Sequence, residues 1–134
     1  MKKVNSMYVI DDDKIYHFLL KNLFKQNNIV VDPLFFSNGQ EAMDTIKNDL
    51  ASGRLPELIL LDVNMPIMDG WQFLEEYKEL VADNPGQSTI FMISSSNDEH
   101  DIMKARQYEH IVKDYLLKPI CKDDLDKIFQ VEEI

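Results

Sequence analysis

The chain has 134 residues, the size of one compact domain, with 45% apolar residues and a net charge of −10, and such an acidic surface is repelled by phosphate backbones and anionic membranes. Direct nucleic-acid binding is therefore not expected, and the single cysteine, Cys121, excludes an intrachain disulfide scaffold and points to a reducing compartment. The opening MKKVNSMYVIDDD is too poor in apolar residues for a signal-peptide core or a membrane span, so a cytoplasmic protein without membrane association is expected.

Residues 4–10 end in the apolar run Met7, Tyr8, Val9, Ile10 and stop at Asp11, the pattern of a short buried strand, β1, running into a polar loop. From 14 to 26, Ile15, Phe18, Leu19 and Leu23 recur at steps of three and four, which predicts a helix, α1, with those residues inward. Residues 29–36 read as a strand, β2, but Pro33 cannot donate to a ladder, so β2 belongs at a sheet edge. Asn38 and Glu41 have capping-box spacing ahead of α2, whose inner face is Ala42, Met43, Ile46 and Leu50 up to Ser52-Gly53. Residues 57–61 form a nearly pure apolar run closing on Asp62, suited to a central strand, β3, covered on both faces.

Beyond Pro66, Asp69 and Gln72 repeat the capping spacing, and Phe73, Leu74, Tyr77, Leu80 and Val81 make the buried face of α3, which stops at Asn84-Pro85-Gly86. Residues 89–93 read as β4. Ser96 with Glu99 caps α4, whose apolar face, Ile102, Ala105 and Met103, is weak, so α4 is expected to be the least firmly packed helix. Residues 111–117 read as β5, Pro119 breaks the chain after it and is a candidate cis residue, and Leu125, Ile128 and Phe129 mark α5. Five strand-helix units without repeats or linkers imply an α/β fold with a parallel sheet between helix layers. Right-handed crossovers, an edge β2 and a central β3 select the flavodoxin-like doubly wound order 2-1-3-4-5, whose ligand site lies beyond the strand carboxyl ends.

At those ends stand Asp11, Asp12 and Asp13 after β1, Asp62 and Asn64 at β3, Ser94 at β4 and Lys118 at β5. Carboxylates crowded together raise one another's pKa unless a cation is present, and oxygen-only donors with room for water suit Mg²⁺ rather than a calcium cage or zinc. A carboxylate beside Mg²⁺ and an ammonium is suited to phosphoryl transfer, with Asp62 central, Lys118 neutralising phosphoryl oxygens and the Ser94 hydroxyl bonding one of them.

The segments YVIDDD at 8–13, LILLDVNMPIMDGW at 58–71, FMISSS at 91–96 and DYLLKP at 114–119 resemble the receiver domains of bacterial two-component response regulators, in order and spacing over the whole chain. The resemblance implies that Asp11 and Asp12 are the acidic pair, Asp62 the phospho-acceptor, Asn64 the donor of a metal-binding backbone carbonyl, Ser94 the hydroxyl switch, Lys118 the essential lysine and Tyr115 the switch aromatic. It implies autocatalysed transfer from a phosphohistidine on a sensor histidine kinase or histidine phosphotransfer protein, with Mg²⁺ as cofactor and an altered affinity for a downstream protein. A homodimer or partner contact through α4, β5 and α5 is the expected output, and residues 1–134 read as a single receiver with no output domain. Ile111 departs from the pattern, since the family often has Gly there, and Ser94 replaces the commoner Thr while keeping the hydroxyl.

Other readings of the aspartates are weaker. An EF-hand register from Asp11 would need Gly and Glu where Tyr16 and Asn22 stand. An Mg²⁺-dependent aspartyl-phosphate hydrolase would want a second carboxylate two residues after Asp62, where the chain has Asn64. A degenerate receiver acting only as a binding module would lack the acceptor, the acidic pair or the lysine, and all are present. His17, His100 and His110 lack metal spacing and read as surface or helix-packing residues, and Trp71 as a packing residue near the site.

Overall fold

The structure, a computed structural model, describes residues 6–82, 88–95 and 98–129. Strands and helices alternate as β1 (Met7–Ile10), α1 (Lys14–Gln26), β2 (Leu34–Phe36), α2 (Gly39–Ala51), β3 (Leu58–Asp62), α3 (Gly70–Leu80), β4 (Thr89–Ser94), α4 (Glu99–Arg106), β5 (Val112–Leu117) and α5 (Lys122–Phe129). All strand pairs are parallel and the sheet order is β2-β1-β3-β4-β5, the flavodoxin-like doubly wound arrangement. β3 is buried at every residue, as a strand covered on both faces must be, and the edge strand β2 starts directly after Pro33.

Alternating strand residues feed two apolar layers. Tyr8, Ile10, Ile59 and Leu61 pack against α2, α3 and α4 on one side. Met7, Val9, Leu58 and Leu60 pack against α1 and α5 on the other. The caps on α2 and α3 form as their spacing predicts: Asn38 accepts from the Glu41 N–H, and Asp69 with Gln72 makes a reciprocal capping box. The Lys118–Pro119 bond is cis.

The structure corrects the predicted face of α1. Ile15, Phe18 and Leu19 are exposed (71%, 62% and 53%), and the helix instead buries Tyr16, Leu20 and Phe24, with Leu23 half-buried. Two apolar stripes run along this helix, and the sheet takes the one spaced strictly by four, which begins with an aromatic ring. Met103 is exposed as well, leaving Ile102 half-buried and Ala105 as the one buried residue of α4. The cap of α4 is Asp98, which accepts from the His100 N–H. Ser96, strand residues 4 and 5 and the Asn84-Pro85-Gly86 stop lie outside the described residues; α3 ends at Leu80 with Val81 as its C-cap. β3 and β4 each continue one residue further than their apolar runs, through Asp62 and Ser94, so these polar groups finish inside the sheet.

Candidate functional site

The aspartate triplet after β1 divides into three roles. Asp11 is buried, its N–H donating to the Phe36 carbonyl at 3.0 Å and its Oδ1 accepting from the Asp13 N–H at 2.9 Å. Asp13 turns away to cap α1, accepting from the N–H groups of Ile15 and Tyr16 at 2.9 and 3.3 Å. Asp12 stays exposed, and one oxygen each from Asp11, Asp12 and Asp62 lie within 4.8 Å of one another. Asp62 is buried at the end of β3, between β1 and β4. The chain behind it must turn tightly: a Cβ at Gly70 would stand 2.7 Å from the Asp62 carbonyl oxygen and 2.9 Å from the Val63 Cα, so only glycine fits. In the same loop Ile67 is exposed at φ 69°, a costly conformation for a β-branched residue.

Lys118 completes the cluster. Its Nζ lies 2.7 Å from Asp11 Oδ2 and 3.6 Å from Asp62 Oδ1, and its backbone N–H donates to the Ser94 carbonyl at 2.8 Å. Burial alone would lower the lysine's pKa, but the bond and charge of Asp11 and the charge of Asp62 outweigh it and hold the ammonium protonated. Burial, the Asp11 charge and to a smaller degree Asp12 push the Asp62 carboxyl up to about 7, against the opposing pull of Lys118. One ammonium does not neutralise three crowded carboxyl groups. The donor set is all oxygen, so the residues present fit a hard divalent cation such as Mg²⁺.

Ser94 is fully buried at the end of β4, and Tyr115 on β5 is half-buried beside it. Burial raises the Tyr115 hydroxyl pKa while a side-chain hydrogen bond with Ser94 opposes the rise. Asn64 lies exposed two residues past Asp62. Ile111 sits half-buried in the turn before β5; positive φ at non-glycine positions is confined, among the described residues, to Asn28 and Ile67, so this turn does not require the glycine it lacks. Asp11, Asp12, Asp62 and Lys118 thus form one cluster at the carboxyl end of the sheet, with Ser94 ending the neighbouring strand, whereas Tyr115 stands further back on β5, paired with Met92.

Two neighbours on α1 escape the sequence reading. His17 Nε2 donates to the Asp11 carbonyl at 2.7 Å, and its ring packs at a tilt against Phe35, with centroids 4.6 Å apart. The Tyr16 ring is buried with Lys118 Nζ 4.5 Å from its centroid. The available signal is their place in the first turn and a half after the aspartates, where a helix starting at the site must face it.

This constellation is matched across nearly the whole chain: residues 7–130 fit the response regulator receiver domain. The chain belongs to that family. It is similar to a two-component response regulator from Cytophaga hutchinsonii, whose crystal structure has a TM-score of 0.86 at 29% identity and covers 96% of each chain. It is 28% identical to the chemotaxis protein CheY of Bacillus subtilis over 86% of both chains. The Mn²⁺-bound form of response regulator Rcp1 superposes with a TM-score of 0.69 at 28% identity, covering 93% of this chain and 88% of that one. Some curated relatives are longer, and the chain spans 44% of their length. Receiver domains are signalling modules of two-component systems, and the acidic pocket is where they bind Mg²⁺. Among the described residues no helix is long and apolar enough to cross a membrane.

Proposed function

We propose that this receiver domain accepts a phosphoryl group from a phosphohistidine donor onto Asp62. The observation that carries the reading is a buried carboxylate, Asp62, held between a partly exposed acidic cluster and the Lys118 ammonium. An oxygen of Asp62 forms the new bond to phosphorus as the phosphorus-nitrogen bond breaks, and the imidazole leaves with the electron pair and takes up a proton. Lys118 neutralises oxygen charge that builds up in transfer, and the Ser94 hydroxyl donates to a phosphoryl oxygen. Asp12, Asp62 and the Asn64 backbone carbonyl would hold Mg²⁺, with Asp11 bonding through water; when bound, the metal supplies charge neutralisation among the carboxylates and phosphoryl oxygens. Asn64 offers no carboxylate for rapid hydrolysis of the product, which favours a signalling acceptor over a turnover enzyme.

The donor is a histidine kinase or phosphotransfer protein, and the output is altered binding of a downstream protein or onward transfer. Ser94 must choose between Tyr115 and a phosphoryl oxygen. Its shift frees Tyr115 to rearrange, reshaping α4, β5 and α5, the face proposed for a partner or a second copy.

Mass spectrometry after incubation with acetyl phosphate and Mg²⁺ tests this. One phosphoryl group is expected on the wild type and none on Asp62→Asn; a mass shift that survives that substitution refutes the acceptor. Ser94→Ala is expected to be modified still but to lose the amide NMR response on α4, β5 and α5. An undiminished response there separates Ser94 from the switch.

A further inference from the structure

Lys118 serves the pocket only if its ammonium stays between Asp11 and Asp62, yet it is carried by a loop that leaves the sheet after β5. A lysine side chain has four rotatable bonds, so something must restrict both the loop and the chain. One residue touches both. Tyr16, in the first turn of α1 and 7% exposed, has its ring centroid 4.5 Å from Lys118 Nζ, within cation–π range. The same side chain accepts a hydrogen bond at its hydroxyl from the Ile120 N–H at 3.3 Å, two residues beyond Lys118 and inside the core. That buried amide leads out of the loop into α5, and the hydroxyl is its recorded partner.

An aliphatic residue at this position could fill the space between Leu20, Ile120 and Leu125, but it could neither face an ammonium nor satisfy the amide. Burial, against the opposing Ile120 hydrogen bond, pushes the tyrosine hydroxyl up to about 12, with Asp11, Asp124 and Asp62 adding to the rise, so it stays protonated at any working pH.

We propose that Tyr16 is a positioning residue for phosphoryl acceptance: its ring holds the Lys118 ammonium at the carboxylates, and its hydroxyl anchors the loop that carries the lysine. The inference deepens the reading of Asp62 as acceptor and rests on it. It assigns to the first turn of α1 a task beyond its cap: the Tyr16 N–H donates to the Asp13 cap, while the Tyr16 side chain holds the lysine.

The test compares the full chain as wild type, Tyr16→Phe and Tyr16→Leu. Three quantities are read on each: the rate of phosphorylation by acetyl phosphate, the Mg²⁺ affinity from Trp71 fluorescence, and the NMR shift of the Lys118 Hε protons. Tyr16→Leu is expected to slow phosphorylation about tenfold and to abolish the upfield ring-current shift of Hε. Tyr16→Phe, which keeps the ring, is expected to retain the Hε shift and lose about threefold in rate. Mg²⁺ affinity is expected not to fall in either, because the ring and hydroxyl contacts are with Lys118 and Ile120, and an ammonium that leaves Asp11 and Asp62 takes away positive charge that competes with the cation. If Tyr16→Leu does not fold, Tyr16→Phe alone still decides the hydroxyl's part by its rate. Equal rates in all folded variants overturn the proposal. A rate loss matched by an equal loss of Mg²⁺ affinity overturns it too, as the mark of general damage to the pocket. A wild type that takes no phosphoryl group overturns the acceptor reading itself, whereas a modified wild type with indifferent Tyr16 variants overturns only the role of Tyr16.

Discussion

Helices α3 and α4 pack on the same face of the sheet, and each follows a strand that ends in a site residue, Asp62 for α3 and Ser94 for α4. They are held very differently. α3 has a reciprocal capping box, a glycine pressed against the end of β3, and Phe73, Leu74 and Tyr77 buried. α4 is a shorter helix of eight residues that buries Ala105 alone, with Met103 turned to solvent. The loop behind Asp62, the proposed acceptor, is therefore firmly held, and the helix behind Ser94 is held by little. A receiver needs that division, since chemistry demands constant geometry at Asp62 while signalling demands an element whose position is inexpensive to change.

Truncating one apolar side chain in each helix is the strongest way to break this contrast. Phe73→Ala removes a fully buried ring and is expected to cost about 3–5 kcal/mol in urea unfolding. Ile102→Ala removes a half-buried side chain and is expected to cost about 1 kcal/mol. Equal losses would show that α4 is anchored as firmly as α3, and the proposed adjustability would have no structural basis.

The second test reads the charge stored on the firm side. The Asp62 carboxyl is raised from 3.8 to about 7, first by burial and then by Asp11. Below about pH 4 the group is protonated in both folded and unfolded chains, and its contribution to stability is fully present. Between about 4 and 7 the unfolded chain releases the proton and the folded chain retains it, so stability falls as pH rises through that window. Asp62→Asn does not ionise. The variant is expected to exceed the metal-free wild type by on the order of 2 kcal/mol at pH 7.5, with the gap closing toward pH 4. Saturating Mg²⁺ is expected to stabilise the wild type and not the variant. A gap that does not vary with pH would mean that Asp62 ionises freely in the folded chain.

Much of this is legible in the sequence, for reasons specific to particular residues. Pro33 and the unbroken run 58–61 carried the sheet order, because a missing donor and a two-sided burial leave each strand few places to go. The cluster of Asp11, Asp12, Asp62 and Lys118 is legible because polar groups directly after apolar runs have to gather at one end of a parallel sheet. α1 was misread because its two apolar stripes satisfy the same periodicity, and composition cannot say which one the sheet will accept. Tyr16 and His17 were missed with it, since their roles depend on which face turns inward. The cap of α4 is Asp98 rather than Ser96, and the sequence does not choose between them because serine and aspartate are both good N-caps.

The smallest expected effect concerns how the adjustable helix is tied to the fixed one. Tyr108 lies in the turn after α4, its ring stacked on Trp71 of α3 at 6.0 Å and its hydroxyl donating to Glu75 of α3 at 2.6 Å. Lys104 of α4 lies 5.0 Å from the Trp71 ring, so the two helices meet through an aromatic clasp rather than through aliphatic burial. The Glu75 hydrogen bond is the chief influence raising the Tyr108 hydroxyl to about 12, so it remains a donor throughout the physiological range. Tyr108→Phe keeps the ring and removes only this directional bond. Global stability is expected to change little, while amide exchange at Ile102 and Ala105 quickens severalfold and that at Phe73 and Leu74 does not. The asymmetry follows from what each helix has left: α3 retains its cap and three buried side chains, whereas α4 retains Ala105 and a stack that can slide. Exchange that quickened equally in both helices would mean that they open as one unit, and the clasp would then be a rigid joint rather than a hinge.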